Sequence, residues 1–231
     1  MPTQPLVIAI DGPAGSGKST VARKVAARMA LHYVDSGASY RAVALKVLRA
    51  GLPAQQEDSI VALVEKLQIQ FSGTEGQGPV LVDGEDVSGE IRAPEVTEVA
   101  ARISRLPGVR KRLVALQRRS VPLEGVVMEG RDIGTKVFPD ADLKIFLDAS
   151  EEARARRRLQ DNLDKGRETT LEQTRLEITR RDRLDSERKI SPLVAAADAV
   201  KIDSTELSVD QVVDKIVSLV NERCAARLGN S

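Results

Sequence analysis

Short, uninterrupted apolar runs recur along this chain, and several lead directly into an acidic turn. Leu6-Val-Ile-Ala-Ile10 ends in Asp11-Gly12, Val126-Val-Met128 runs into Glu129-Gly130, and Leu143-Lys-Ile-Phe-Leu147 runs into Asp148. Runs that do not alternate with polar residues predict strands buried on both faces of a parallel sheet. Tyr33-Val34-Asp35 and Ala199-Val-Lys-Ile202 read as two further short strands. Between the runs the apolar positions take up helical spacing. Val21, Val25 and Met29 lie on one face of 19–30, and Val209, Val212, Val213, Ile216, Val217 and Val220 form a core stripe along 209–227. Helices are also predicted over 40–50, closed by Gly51-Leu-Pro53, over 59–67, over 94–120 with an interruption at Pro107-Gly108, over 151–160 and over 170–188. The alternation of strand and helix predicts an α/β fold with a parallel sheet.

From Ile69 to Ile91 the texture changes. Ile69-Gln-Phe71, Val80-Leu-Val82 and Asp86-Val-Ser88 are short segments separated by glycines. They predict a small antiparallel insertion over about residues 68–92. There is no long-period repeat and no low-complexity linker, and the tail from Leu228 to Ser231 is expected to be loose.

A chain of 231 residues suits one α/β domain with insertions. Aromatic residues make up only 2% and Trp is absent, so the core must be aliphatic and few rings remain for stacking bases. The net charge of +1 provides no overall basic field. Neither nucleic acid nor membrane is therefore expected as a partner. His32 and Cys224 are the only residues of their types, which excludes a Cys/His zinc site and an internal disulfide. Both read as structural. No apolar run is long enough for a signal segment or a membrane span, and the expected location is cytoplasmic.

Candidate chemistry begins at the end of the first run. Gly12-Pro13-Ala14-Gly15-Ser16-Gly17-Lys18-Ser19 matches G-x-x-x-x-G-K-[ST] at every fixed position, and Thr20 follows. Glycines let the backbone curl so that successive N–H groups face phosphate oxygens, and the next helix turns its positive end to the same anion. Lys18 then reaches the outer phosphates of ATP and the Ser19 hydroxyl is the candidate ligand for Mg²⁺. A strand before and a helix after supply the required context.

Triphosphate binding does not define the reaction. A GTPase switch would need an N-K-x-D segment, which is absent, and the D-x-x-G match Asp86-Val-Ser-Gly89 falls inside the antiparallel insertion. Three other clusters bear on the acceptor. Asp35-Ser36-Gly37-Ala38-Ser39-Tyr40-Arg41 follows the second strand, and Glu129-Gly130-Arg131-Asp132-Ile133-Gly134 leaves a central one. Arg181, Asp185 and Arg188 fall on one helix face. Ligands of open parallel sheets sit beyond the carboxyl ends of the strands, where the first two clusters and the glycine loop lie. Each cluster has a plainer reading: Asp35 and Ser36 as a helix cap, Asp132 with Arg131 as a strand-end ion pair, Arg181-Asp185-Arg188 as an ion-pair ladder, and Arg154, Arg156, Arg157 and Arg158 as a solvated helix face. A kinase for UMP, AMP or shikimate, or a nucleotide-regulated binding protein, stays open on these grounds.

The motifs I-D-G-P-A-G-S-G-K-S-T, D-S-G-A-S-Y-R-A-V, E-G-R-D-I-G-T-K-V-F-P-D-A and R-R-D-R-L-D-S-E-R-K-I-S-P-L, in this order over nearly the whole chain, resemble bacterial cytidylate kinases. The resemblance implies a three-layer P-loop kinase fold with a five-stranded parallel sheet, a core over 1–38, 111–151 and 169–231, a monophosphate-binding part over 39–110 and a helical lid over 152–168. It implies transfer of the γ-phosphoryl group of ATP to CMP or dCMP with Mg²⁺, by a monomer. Carried over residue by residue, Arg110 and Asp132 read the cytosine with Ser36 nearby. Arg181 and Asp185 hold the ribose, and Arg41, Arg131 and Arg188 hold the acceptor phosphate. Arg157 or Arg158 of the lid closes on the transferring group. One position departs: Ala101 stands where some relatives have a sugar-contacting serine, and Ser104, one turn on, is the candidate substitute.

Overall fold

The computed structural model describes residues 5–71, 78–164 and 166–229. Its strands are β1 (Val7–Asp11), β2 (His32–Asp35), β3 (Ile69–Phe71), β4 (Val80–Val82), β5 (Glu85–Asp86), β6 (Val126–Gly130), β7 (Leu143–Asp148) and β8 (Val200–Asp203). Its helices are α1 (Lys18–Met29), α2 (Ser36–Arg49), α3 (Glu57–Lys66), α4 (Pro94–Ile103), α5 (Pro107–Arg119), α6 (Glu151–Leu163), α7 (Leu171–Ser186) and α8 (Val209–Gly229). Five strands form the expected parallel sheet in the order β2-β6-β1-β7-β8, and β3-β4-β5 form a separate antiparallel sheet of three.

The register of the parallel sheet sets up everything beyond it. Asp11 lies opposite Gly130 and Phe146, and Asp35 lies opposite Glu129. The polar residues that close the apolar runs therefore line one edge, with β1 at its centre. Ile8, Ile10, Val127, Ile145, Leu147 and Ile202 pack on one sheet face against α1 and α8. Ala9, Val34, Met128 and Ile133 pack on the other. A third cluster, aliphatic throughout its buried residues, joins α2 to α5 with the small sheet. No helix among the described residues is long and apolar enough to cross a membrane.

Local chemistry explains where elements depart from expectation. The second helix begins at Ser36, four residues earlier than the apolar spacing indicates, because Asp35 caps it by accepting from the Ala38 N–H at 3.2 Å. The third small strand is Glu85–Asp86, set by the hairpin turn Asp83-Gly84 at φ 53° and 84°. Pro107 and Gly108 open α5, since proline suits the first helical turn; the break comes before them, at Ser104 to Leu106. The helix after β7 runs on to Leu163. Thr170 caps α7 in a capping box with Gln173. The closing helix continues to Gly229, so Leu228 and Gly229 are helical; Asn230 and Ser231 of the expected loose tail lie outside the described residues, as do 72–77 of the insertion and Lys165 of the lid.

The least expected element is a π-helical turn at Ile133–Val137. Asp11, at the end of the central strand, accepts from the N–H groups of Ile133 at 2.8 Å and Gly134 at 2.7 Å. The turn is thus shaped from a residue more than a hundred positions away. Gly130, just before it, is where three elements meet. A Cβ there would collide with Ser36 Oγ of α2 and come within 2.8 Å of Ile133 Cδ1. Gly130→Ala is accordingly expected to lower the unfolding free energy by about 1–3 kcal/mol, seen as a lower urea midpoint with an unchanged m value.

Candidate active site

The glycine loop joins β1 to α1. Gly12 (φ 150°) lies so close to β7 that a Cβ would strike the Leu147 carbonyl, and Gly15 (φ 74°) lies so close to α6 that one would come within 2.8 Å of Arg154 O. Pro13, Ala14 and Ser16 are buried, and Thr20 is exposed on the first turn of α1. Gly17 is left-handed at φ 88°, which starts α1 at Lys18. Lys18 is buried and its Nζ donates to Pro13 O at 2.6 Å and to Ser16 Oγ at 3.3 Å. Burial, reinforced by the Arg131 guanidinium, pulls its ammonium down to about 7 against the pull of Glu129. The Ser19 hydroxyl donates to Glu129 Oε1 at 2.6 Å, and Tyr33 OH donates to the same oxygen at 3.4 Å. Burial and the nearby Asp35 raise the Glu129 carboxyl.

Beyond the edge formed by β2 and β6 lies a cluster of arginines and carboxylates. Arg41 pairs with Asp35 at 2.6 Å and holds it below the usual carboxylate range, overriding the opposite effect of burial. Arg110 pairs with Asp132, both buried, while its Nη1 donates to Ser104 O at 3.0 Å and its guanidinium lies 5.5 Å from the Tyr40 ring centroid. Arg131 Nε donates to Asp185 Oδ2 at 2.8 Å, and Arg188 pairs with the other oxygen of that carboxylate. Ser36 is buried in the first turn of α2, where its carbonyl accepts from Ser39 Oγ at 2.6 Å.

Arg181, exposed on α7, belongs to the same cluster through its charge: repulsion from Arg131 lowers its guanidinium to about 10, and Arg158 and Arg41 add to the effect. The Nε atoms of Arg41, Arg110 and Arg188 are buried without a hydrogen-bond partner. Three inward guanidinium donors left unpaired, on side chains that converge from α2, α5 and the end of α7, are the signature of a site built for an anion.

All eight residues expected at the acceptor, Ser36, Arg41, Arg110, Arg131, Asp132, Arg181, Asp185 and Arg188, thus lie at this edge of the sheet. The two lid arginines differ. Arg157 is turned to the β8–α8 connection, where it donates to Ser204 Oγ at 3.0 Å and Ser204 O at 2.6 Å. Arg158 is close enough for its charge to act on Arg181. Ser104 spends its hydroxyl on Ala101 O at 3.0 Å. The reading of 154–158 as a solvated face holds for Arg156 but fails for Arg154, which is buried and pairs with Asp182. Burial of the Arg154 stem follows from packing on α7, which no helical spacing reveals. Asp11 was missed as well. Its signal was present: an acid that closes a run buried on both faces must find partners.

The donors around Ser19 suit a magnesium ion. They are hard oxygens, from one hydroxyl and the neighbouring Glu129 carboxylate, and among the described residues no cage of three or more His, Cys, Asp or Glu side chains exists. Mg²⁺ takes few protein ligands and keeps phosphates and waters for the rest.

Comparison with known proteins gives a coherent result. The family model described as cytidylate kinase matches residues 8–222. A cytidylate kinase of Geobacillus kaustophilus is 48% identical over 94% of this chain and 96% of its own. One of Desulfitobacterium hafniense is 47% identical over 94% of both chains. Among solved structures, an uncharacterized protein from Eubacterium ventriosum matches with a TM-score of 0.50 at 13% identity, covering 94% of this chain and 98% of its own, a likeness of fold.

Asp11 offers a test of the site's architecture. Burial lifts its carboxyl to about 6 despite the two amide hydrogen bonds. A carboxyl raised in the folded state binds a proton that the unfolded chain has already released, so stability falls as pH rises from about 4 to about 6. Relative to Asp11→Asn, the wild type is expected to lose about 2–3 kcal/mol of unfolding free energy across that interval. Parallel pH profiles of the two proteins in urea denaturation would show that Asp11 does not titrate there.

Proposed function

The chain belongs to the cytidylate kinase family, and we propose that it transfers the γ-phosphoryl group of ATP directly to CMP, and to dCMP, by an in-line reaction between the glycine loop and the arginine cluster. The carrying observation is the buried Arg110–Asp132 pair beside guanidinium groups with unpaired Nε atoms, in a chain that also carries the complete glycine loop with Lys18 buried against it. Asp132 accepts from the cytosine amino group and Arg110 completes recognition of the base edge, with Ser36 alongside. Arg41, Arg131 and Arg188 clamp the acceptor phosphate, and Arg181 and Asp185 hold the sugar. Each role requires a ligand oxygen or amino group to take over part of a pairing now made within the protein.

The donor lies on the loop from Gly12 to Thr20. Lys18, bonded to its own loop, swings its ammonium to the outer phosphates, which favour its charged form. Ser19 is the side chain that would hold Mg²⁺, which supplies neutralisation of the β- and γ-phosphate charge. Arg158 of the lid faces the transferring group, and Arg157 steadies the connection beyond β8. No side chain need remove a proton. The acceptor's second ionisation lies near ~6, so its oxygens are nucleophilic at neutral pH. The chain's task is to align two anions and offset their repulsion. We assign it as a monomer of the cytoplasm, a compartment that suits a lone thiol and charged substrates.

A coupled ADP-release assay across CMP, dCMP, UMP and AMP tests the reading. CMP or dCMP is expected to lead, and UMP or AMP outpacing both would sink it. In the same assay Asp132→Ala is expected to raise KM for CMP by about 10–100-fold, the worth of one good polar pair to a base, with KM for ATP within about twofold.

The sugar gives a second expectation. Ala101 offers no hydroxyl, and Ser104 is committed to its own helix. Asp185, one of the two residues left to the sugar, keeps both oxygens on Arg131 and Arg188, so a missing hydroxyl does not strip it of its partners, and strong rejection needs buried polar groups that lose theirs. The kcat/KM values for CMP and dCMP are thus expected to agree within about tenfold, and a preference above about a hundredfold would refute this.

A further inference from the structure

Ala14, at the tip of the glycine loop, has both of its backbone polar groups held by side chains from distant parts of the chain. Its N–H donates to Asp182 Oδ1 of α7 at 3.0 Å, and its carbonyl accepts from Arg154 Nη1 of α6 at 3.0 Å. The two side chains also pair with each other. Arg154 Nε donates to Ala149 O, at the turn from β7 into α6, at 3.0 Å. The Arg154 and Asp182 side chains are only 11% and 18% exposed, so solvent screens this pair little. The backbone of Arg154 lies against Gly15 as well, with no room for a Cβ.

These contacts do two things. They fix the two peptide units that flank Ala14, between α6 and α7, the helix that carries Arg181 and Asp185. They also set a carboxylate at the rim of a site for a polyanion, where it would repel the ligand unless neutralised. Arg154 neutralises it, and its fork is needed to reach Asp182, Ala14 O and Ala149 O together.

We propose that Arg154 and Asp182 are positioning residues for phosphoryl transfer, a single latch that holds the tip of the donor loop at the height required by the acceptor; this rests on the kinase reading above. Neither residue is assigned contact with the reacting atoms. Removing Arg154 alone bares the Asp182 charge at the loop tip, and removing Asp182 alone frees the Ala14 N–H and leaves a stray cation. Either change shifts the donor and leaves the base-reading pair Arg110–Asp132 intact. Because the two act as one unit, removing both costs no more than removing either.

The test is steady-state kinetics on Arg154→Met, Asp182→Asn and the double variant, with ATP and CMP varied separately, beside far-UV circular dichroism and urea unfolding. Each single variant is expected to lose about 10–100-fold in kcat/KM for ATP, the cost of a displacement near 1 Å, with KM for CMP within about twofold. The double variant is expected to lose no more than the worse single. Losses that multiply in the double variant, or KM values for ATP and CMP that rise together, would overturn the latch. Should the Met variant fail to fold, Arg154→Lys keeps the charge and a similar stem. It is expected to fold and still lose at least about fivefold in kcat/KM for ATP, and a wild-type value would overturn the proposal. A wild type that fails to phosphorylate CMP removes the kinase reading itself. An active wild type with unaffected variants removes only the latch.

Discussion

Mutual repulsion among guanidinium groups is the constraint around which this molecule is organised. Arg131, Arg181 and Arg188 lie within electrostatic reach of one another and of Arg41 and Arg110, and Arg131 is the largest influence on Arg181. Burial and the charges of Arg110 and Arg131 lower Arg188 in the same way, against the pull of Asp185. Such a cluster is unfavourable for folding by itself. It persists because its members come from four separate elements, α2, α5, the β6 end and α7, each anchored in an aliphatic core that does not depend on the cluster. Asp35, Asp132 and Asp185 offset the charge only in part, and the buried Nε atoms that remain unpaired record the deficit. An anion with several oxygens would correct it, and the unfavourable charge of the cluster would then serve affinity and orientation.

The sheet register makes that arrangement possible. Asp11, Asp35 and Glu129 end adjacent strands, and each is used differently. Asp35 caps α2 and holds Arg41, Glu129 anchors Ser19 and Tyr33, and Asp11 shapes the turn that carries Asp132. One residue of β1 thereby fixes the turn that carries Asp132, while the next residues of the chain form the glycine loop. The loop and the carboxylate proposed to read the base thus share a foundation in a single central strand.

How much of this was legible in the sequence depends on the range of the interaction involved. Continuous apolar runs and the glycine motif are local patterns, and they yielded the strands and the donor loop. Helical spacing placed Arg181 and Asp185 on one face, but α7 ends at Ser186, so Arg188 meets Asp185 from the turn after the helix and not from a shared helical face. The individual substrate roles came from family resemblance alone. What could not be read arises from contacts between distant segments. The π-helical turn exists because Asp11 captures two amides from the turn that follows the neighbouring strand β6, and Ile133-Gly-Thr-Lys-Val137 carries no pattern that announces it. Arg154 looks like any residue of an arginine-rich helix until α7 covers it. The early start of α2 was readable in principle, since Asp35 is a good cap, but the same residues also suit a loop.

The two sites are joined electrostatically as well as mechanically. Arg131 is the largest charge acting to depress Lys18, and Arg181 adds to it. The cation of the donor loop and those of the acceptor pocket therefore weaken one another when both are bare. Phosphate oxygens placed against either set would offset the charge felt by the other. Two polyanions that repel each other in water would thus meet between groups that also repel each other, and each repulsion offsets the other when the two are brought together.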